Sequence, residues 1–384
     1  MKHLSRSEYQ QMLFDQFAAI GNRIAYNRTT DDAFDHAGWR AISEAGLWRL
    51  PVSRAQGGYG HSWWEFVAAV EGLASTADDL GFLLSIVAHV GGLRVLMNHG
   101  HQAQKDRFLP QLMEGRVAST AITEPSGGSD VARMVLAARP GADGCLGLWG
   151  RKVHITNAPV ADVIIAVGRM EGLPAKRDIS LFIVERGAGG IETGPPEAML
   201  GNRTSPTGEI RFEGAPIDPV NILGRPGDGL AVLYDMISLD RLLYGVLAAA
   251  YVEPWLRRTF DHAGARHAFG RPIKGHQHVQ QRLVDIKIRI ETSRCIAYAA
   301  LDRLVAGHPE ASLMCSIAKL VGTEGLWATA QDAMMLFGHA GYEEGEVARL
   351  LRDACGTRIA GGTSDIQKVN IFNQLDKLHE KEKA

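Results

Sequence analysis

Hydrophobic positions follow a helical period in the first part of the chain. Three segments carry apolar residues at the spacing of one helix face: Phe34–Leu47, Phe66–Leu73 and Leu80–Leu96. Gln56–Gly60, which reads QGGYG, interrupts this pattern, so we expect a loop there. Residues 1–117 are therefore predicted to be helical.

The pattern changes in the middle of the chain. Val163–Val167 (VIIAV) and Leu181–Val184 (LFIV) are short apolar runs between glycine, proline and charged residues, and polar and apolar residues alternate along Glu209–Phe212. Such short runs and alternation are typical of buried and half-buried β-strands. We predict a small β-domain over residues 118–226.

Long segments of helical period return after this region. They cover Leu230–Phe260, Gln277–Ala306 and Ala311–Met335, and a last helix is expected to begin near Thr363. The order of helices, strands and helices predicts an α+β fold. Its parts are an N-terminal helical domain (1–117), a central β-domain (118–226) and a C-terminal helical bundle (227–384).

Composition and charge narrow the functional class. The chain has 384 residues, of which 46% are hydrophobic, enough for a large core. Lys and Arg number 41 and Asp and Glu 43, so the net charge is −2 and nucleic acid and anionic membranes are poor partners. Four widely separated cysteines without a C-x-x-C pair indicate neither a disulfide framework nor a zinc site. We therefore expect no metal.

The N-terminus and the apolar runs bear on localisation. The first residues, MKHLSRSEYQQMLFDQF, are polar and carry acidic side chains early, unlike a signal or transit peptide. No run approaches the roughly 18 consecutive apolar residues that span a bilayer. The sequence therefore predicts a reduced, cytoplasmic protein.

A stretch rich in glycine and hydroxyl groups, Ala121–Asp130, is the first candidate for a ligand-binding loop. It reads AITEPSGGSD. Gly127 and Gly128 leave the backbone open to a bulky planar ligand, and Thr123 and Ser129 offer hydroxyls beside backbone N–H groups. Taken alone, the composition also fits an ordinary polar turn.

A second stretch, Gly150–Asp162, reads GRKVHITNAPVAD. Together the two stretches resemble the paired flavin-loop signatures of the acyl-CoA dehydrogenase family, T-E-P-x-x-G-S-D and G-x-K-x-x-I-T-N-x-x-x-A-D. Similar features recur along nearly the whole chain, among them Arg266 with Phe269–Gly270, Arg352–Asp353–Ala354 and Gly362–Thr363–Ser364. The resemblance implies the helical, β and helical domains of that family and FAD as the cofactor.

The resemblance also implies which residues hold FAD. Those expected around the flavin ring are Ile122, Thr123, Gly128, Ser129 and Thr156. Those at positions that contact the nucleotide part are Arg266, Phe269, Gln277, Met335, Gly338, Thr363 and Asp365. Arg266, Phe269 and Gln277 match residues that reach the FAD of a neighbouring subunit, so a homo-oligomer, a tetramer built from dimers, is expected. Met335 and Asp365 depart from the glutamines frequent at their positions.

The catalytic base departs from the commonest family pattern. Many members carry a glutamate directly before the Gly-Thr of the last helix, where this chain has Gly361. Isovaleryl and long-chain members instead carry a glutamate directly before a helix arginine, which is the position of Asp240 before Arg241. The intervals from Arg241 to Arg266 and from Arg266 to Gly361 match that pattern without gaps. We predict Asp240 as the base and the backbone N–H of Gly361 as the donor to the developing enolate oxygen.

The predicted reaction is the FAD-dependent α,β-dehydrogenation of an acyl thioester on coenzyme A or on a carrier protein. Asp240 takes the α-proton and the flavin N5 takes the β-hydride. Ser129, Arg241, Tyr244 and Gly362 are the expected substrate contacts, and an electron-transfer flavoprotein or similar acceptor is the expected partner. Two alternatives stay open: a non-catalytic or partner-dependent subunit of a hetero-oligomer, and a flavin monooxygenase on the same fold.

Overall fold

The computed structural model describes residues 6–25, 34–141, 144–175 and 177–383. The first five residues of the N-terminal segment considered above lie outside this set. The N-terminal helices are α1 (Glu8–Gly21), α2 (His36–Glu44), α3 (Trp63–Ala74), α4 (Leu80–His99) and α5 (Gln102–Met113).

The middle of the chain forms a mixed sheet. Its strands are β1 (Ala118–Ala121), β2 (Ala137–Pro140), β3 (Leu146–Thr156), β4 (Val163–Met170), β5 (Ile179–Glu185), β6 (Ile191–Thr193), β7 (Thr207–Pro216) and β8 (Ile222–Leu223). Their order is β6-β7-β3-β2-β4-β5-β8, and β1 pairs in parallel with β4. Alternate residues of β4 face two cores: Ile165 and Val167 contact the helices, whereas Ile164 and Ala166 lie in a smaller core of the β-domain. Burial on both faces explains why this strand is a continuous apolar run.

The last part of the chain is helical again. Its elements are α6 (Gly229–Ala265), the short strands β9 (His267–Ala268) and β10 (Arg271–Pro272), α7 (Gln277–Val305), α8 (Ala311–Phe337), α9 (His339–Tyr342), α10 (Glu346–Thr357) and α11 (Ser364–Lys383). The long helices α6, α7 and α8 pack against one another, and α6 continues through Pro254. The predicted α+β fold, with strands between two helical parts, is confirmed.

Helix α4 joins the three parts, because it packs against α6 and β1 and covers much of the core. Its N-cap Asp79 accepts hydrogen bonds from the N–H of Phe82 at 3.1 Å and from the hydroxyl of Thr204 at 2.6 Å. The expectation that no segment could span a bilayer is wrong on length and composition, because α4 has a mean hydropathy of 1.8 over 18 residues. Within the protein 89% of that window is buried, as in the core helix of a soluble protein.

Candidate active site

A cavity of about 220 Å³ opens where α4, α6, the loop after β1, the end of β3 and the turn before α11 meet. Ten residues predicted from the sequence line it: Ile122, Thr123, Gly128, Ser129, Thr156, Asp240, Arg241, Tyr244, Gly361 and Gly362. The fold therefore brings together residues that lie far apart along the chain. Apolar side chains from α4 and α6 complete the wall: Leu84, Val87, Ala88, Leu233, Met236 and Ile237.

A buried ion pair ties the two predicted flavin loops together. Lys152 Nζ lies 2.8 Å from Glu124 Oε1 and 2.8 Å from the carbonyl oxygen of Ile122. Glu124 also accepts hydrogen bonds from the N–H groups of Val135 and Leu136. Burial lowers the pKa of Lys152 to about 8, and the hydrogen bond and charge of Glu124 oppose this change. Because buried charges need partners, the pair fixes the shape of both loops.

The loop after β1 offers polar groups to a ligand. Among the residues that the structure describes, the hydroxyls of Thr123 and Ser129 form no hydrogen bond with the protein. A Cβ added at Gly128 would lie 3.1 Å from Cγ2 of Thr123 and would crowd that side chain. A glycine at this position therefore keeps the hydroxyls accessible from the cavity.

Asp240 lies in the cavity wall on α6. Its Oδ1 is enclosed by protein and has no hydrogen-bond partner within the described ranges. Burial raises the pKa of Asp240 to about 8, and the positive charges of Arg94 and Arg241 oppose part of that rise. A carboxylate whose pKa lies near neutral pH is suited to accept a proton from a weak carbon acid.

Two buried arginines lie near this carboxylate. Arg241 donates from Nη1 to the hydroxyl of Ser316 at 3.2 Å, and Arg94 on α4 pairs with Asp235 Oδ1 at 2.6 Å. In the part of the chain that the structure describes, neither arginine forms an ion pair with Asp240. The two positive charges therefore lower the pKa of the carboxylate from a distance, and neither forms a direct ion pair with it.

Tyr244 occupies the space beside Gly361. Gly361 has a φ of +67°, and a Cβ added to it would lie 2.8 Å from Cε2 of Tyr244. Tyr244 lies one helical turn after Asp240, on the same face of α6. Burial and the nearby Asp240 raise the pKa of Tyr244, so its hydroxyl stays protonated. A glutamate at 361 and this position of the tyrosine ring exclude each other.

The turn before α11 is fixed by a buried side-chain amide. Gln367 Nε2 donates to the carbonyl oxygens of Gly361 at 3.0 Å and Gly362 at 3.1 Å, and Gln367 is fully buried. No acceptor among the described residues takes a hydrogen bond from the N–H of Gly361. The turn therefore holds its carbonyl groups and leaves this N–H for a ligand.

The remaining predicted FAD contacts do not line this cavity. They are Arg266, Phe269, Gln277, Met335, Gly338, Thr363 and Asp365. Phe269 is 95% exposed and Met335 is 65% exposed. Thr363 instead caps α11, since its hydroxyl accepts a hydrogen bond from the N–H of Ile366 at 3.2 Å. Their contacts with FAD, including those to a neighbouring subunit, stay predictions.

Several contacts of the site were not predicted from the sequence. Glu124 and Lys152 belong to the matched signatures, but the signatures do not indicate that the two pair. His154 lines the cavity and lies 2.9 Å from Glu197 Oε2. The side chains from α4 carry only a helical period, which does not reveal which of them face a cavity. No cluster of three or more His, Cys, Asp or Glu side chains that could hold a metal lies within the described ranges.

Comparison with known proteins decides the family. Models of the N-terminal, middle and C-terminal domains of acyl-CoA dehydrogenases match residues 7–116, 119–215 and 227–375. The chain belongs to the acyl-CoA dehydrogenase family. It is 32% identical to an L-prolyl-[peptidyl-carrier protein] dehydrogenase of Pseudomonas fluorescens over 368 residues, which cover 95% of each chain. The enzyme is thus an oxidoreductase related to dehydrogenases of acyl thioesters.

Solved structures of this family share the whole fold. Butyryl-CoA dehydrogenase from Megasphaera elsdenii is 28% identical with a TM-score of 0.90, covering 97% of this chain and 99% of its own. A structure described as PigA with FAD and proline is also 28% identical, with a TM-score of 0.91 and the same coverage. FAD is the cofactor of the family. The free hydroxyls of Thr123 and Ser129 and the open backbone at Gly128 fit the polar edge of a flavin ring.

Proposed function

We propose that this enzyme removes hydrogen from the α- and β-carbons of an acyl thioester and that Asp240 is its base. The observation that carries the proposal is the half-buried carboxylate of Asp240 in the cavity wall, whose Oδ1 is enclosed by protein and whose pKa burial raises to about 8. Gly361, at the position where many family members carry a glutamate, has no side chain to accept a proton. Asp240 would take the α-proton directly or through one water, within about 3 Å.

The thioester carbonyl needs a hydrogen-bond donor when the α-proton leaves. Removal of this proton places negative charge on the carbonyl oxygen, and a preorganised N–H stabilises that charge. The N–H of Gly361 lacks a protein acceptor among the described residues and belongs to a residue of the cavity wall. Ser129, Arg241, Tyr244 and Gly362 line the same cavity and are the proposed substrate contacts.

The surrounding side chains raise the proton affinity of Asp240. Apolar residues of α4 and α6 lie beside Asp240 in the cavity wall, and burial among them raises the proton affinity of its carboxylate. The bound FAD supplies the acceptor for the β-hydride. Ile122, Thr123, Gly128, Ser129 and Thr156 would hold the flavin ring. The residues that would hold the nucleotide, partly from a neighbouring subunit, are Arg266, Phe269, Gln277, Met335, Gly338, Thr363 and Asp365.

For the carrier, the electron acceptor and the assembly, the proposal rests on the resemblance to the family. The acyl group would be attached to coenzyme A or to a carrier protein, and the prolyl-carrier-protein dehydrogenase among the relatives supports the second. Electrons would leave through an electron-transfer flavoprotein or a similar acceptor. We propose a cytoplasmic homotetramer, because Phe269 and Met335 expose apolar surface of the kind that subunit contacts bury.

The test is anaerobic reduction of the bound flavin by thioesters on coenzyme A and on a carrier protein. Asp240→Asn is compared with Asp261→Asn, which changes an exposed aspartate on the same helix. We expect the wild type and Asp261→Asn to bleach at equal rates. Asp240→Asn should be slower by about 10²-fold or more, the usual effect of removing a general base.

Three outcomes would contradict parts of this proposal. If Asp240→Asn reduces its flavin within about tenfold of the wild-type rate, Asp240 is not the base. If free acids reduce the flavin as fast as their thioesters, the thioester assignment is wrong. If no thioester reduces a fully FAD-loaded wild type, a non-catalytic subunit or a monooxygenase describes the protein better.

A further inference from the structure

Helix α4 places a glycine directly against the carboxylate of Asp240. A Cβ added at Gly91 would lie 3.1 Å from Oδ1, 3.1 Å from Oδ2 and 3.4 Å from Cγ of Asp240. A distance of 3.1 Å is tighter than nine in ten contacts of real Cβ atoms, so a methyl group here would press on both oxygens at once. The carboxylate thus lies against Gly91, beside the place where any other residue would have its Cβ.

The adjacent glycine has a different neighbour. A Cβ added at Gly92 would lie 2.9 Å from Cβ of Ala118 and 3.5 Å from Cδ1 of Ile165, so Gly92 lets α4 approach the sheet. Glycine inside a helix lowers helix stability, and each of the two therefore needs its own explanation. For Gly91 the three nearest atoms belong to the side chain of Asp240.

We infer that Gly91 is a positioning residue for the base, because its missing side chain creates the space in which the Asp240 carboxylate rests. This inference rests on the proposed role of Asp240. Oδ1 has no hydrogen-bond partner within the described residues, so packing rather than a hydrogen bond sets the direction of the carboxylate. Helix α4 also carries Arg94 one turn later. The guanidinium of Arg94 is held by Asp235, with 2.6 Å between Nη2 and Oδ1.

Substitution of Gly91 by alanine should therefore move the base. The added methyl group displaces the carboxylate by a few tenths of an ångström or pushes α4 away from α6. Since a misplacement of about 1 Å can slow a reaction by about 10²-fold, we expect proton removal to slow by about tenfold. Arg94 faces the carboxylate from α4, and Arg241 and Tyr244 face it from α6. Greater distance from Arg94, or added apolar contact, raises the pKa of Asp240, so the rise of the exchange rate moves to higher pH.

The experiment measures proton removal without hydride transfer. The probe is an acyl thioester in which sulfur replaces the β-carbon, so that only the α-hydrogens can exchange with deuterium from the solvent. Exchange by the FAD-loaded wild type, Gly91→Ala and Asp240→Asn is followed between pH 6 and 9. Gly325→Ala on α8 is the control, because its added Cβ would lie no closer than 3.4 Å to other atoms.

Thermal stability gives a second measurement that does not depend on catalysis. Alanine should raise Tm at a helix position with room for it, and we expect this of Gly325→Ala. We expect Gly91→Ala to raise Tm in an Asp240→Ala background, where the carboxylate is gone, and to raise it less or lower it when Asp240 is present. The result stays informative if Gly91→Ala alone does not fold, because recovery of folding in the Asp240→Ala background also supports the contact.

The outcomes separate this inference from the proposed function. Slower exchange and a shifted pH profile in Gly91→Ala, with unchanged FAD content, support the positioning role. Wild-type exchange and pH profile in Gly91→Ala, with exchange lost in Asp240→Asn, would overturn the role of Gly91 and leave Asp240 as the base. Wild-type exchange in Asp240→Asn would overturn both. An equal change of Tm in the two backgrounds would show that the contact has no energetic consequence.

Discussion

The pH dependence of flavin reduction gives the sharpest test of Asp240. Burial raises the pKa of its carboxyl group from 3.8 to about 8. Only the deprotonated form can accept the α-proton, so below that pKa the rate should fall about tenfold for each pH unit. About one Asp240 in eleven is charged at pH 7 and about one in a hundred at pH 6. The rate of the wild type should therefore rise steeply from pH 6 and level off above pH 8.

The same raised pKa makes protein stability depend on pH in a known direction. Between about pH 4 and pH 8 the folded protein holds a proton on Asp240 that the unfolded chain has lost. The free energy of unfolding therefore falls as pH rises through this window, by at most about 1.4 kcal/mol per pH unit from this group. Asparagine has no proton to lose. Asp240→Asn should accordingly gain Tm relative to the wild type from pH 5 to pH 8, and the gain should then stay constant.

Both effects can be measured on the same samples. Stopped-flow absorbance under anaerobic conditions gives the rate of flavin reduction, and thermal melts at each pH give Tm, with Asp261→Asn as the control for loss of an aspartate on the same helix. A wild-type rate that is flat from pH 6 to 9, with saturating thioester, would refute the raised pKa. So would a difference in Tm between Asp240→Asn and the wild type that does not change with pH.

Other predictions follow from neighbouring contacts. Gly361→Glu should lower Tm, because φ at this position is +67° and the added Cβ meets the ring of Tyr244. The loss should be smaller when Gly361→Glu is made in a Tyr244→Ala background, and an equal loss in both backgrounds would contradict the contact. Lys152→Met should lower the free energy of unfolding, measured by chemical denaturation, by about 3–5 kcal/mol, because Glu124 stays buried without its cation. The FAD content after gel filtration should also fall. A loss of stability below about 1 kcal/mol would contradict the role of this ion pair. Arg266→Ala should retain less FAD at the wild-type expression level, and equal retention would argue against its contact with the nucleotide.

Hydrophobic periodicity predicted the fold because burial in this protein follows simple rules. Helices appeared wherever apolar residues recurred at helical spacing, and α6 (Gly229–Ala265) covers the predicted segment Leu230–Phe260. The run at Val163–Val167 was predicted as a strand, and its unbroken apolar character reflects burial against two cores. The expectation that no segment is long and apolar enough to cross a bilayer was wrong for α4 for a related reason. A helix that is buried on all sides has the composition of a membrane-spanning helix.

The candidate site was predictable only where the resemblance to the family named its residues. The signatures indicated the loop around Thr123, but the pairing of Glu124 with Lys152 depends on how two loops fold over each other. The contact of Tyr244 with Gly361 joins α6 to the turn before α11, far apart in the sequence, and neither residue carries a pattern that reveals it. The role of Gly91 could not be predicted from the sequence either. A glycine in a helix can serve close packing, as Gly92 does, or make room for a functional side chain.

Two glycines make the proposed base position possible, each by leaving room for a different side chain. Gly361 leaves the space that the ring of Tyr244 fills, and Gly91 leaves the space in which the carboxylate of Asp240 rests. A base at 361 would therefore displace the ring at 244, whereas the observed position of the carboxylate at 240 depends on the absence of a side chain at 91. The location of the carboxylate is a property of these four positions together. The loss of a glutamate at one of them does not by itself indicate an inactive enzyme, because the partners at the other three decide whether a carboxylate can reach the same cavity from α6.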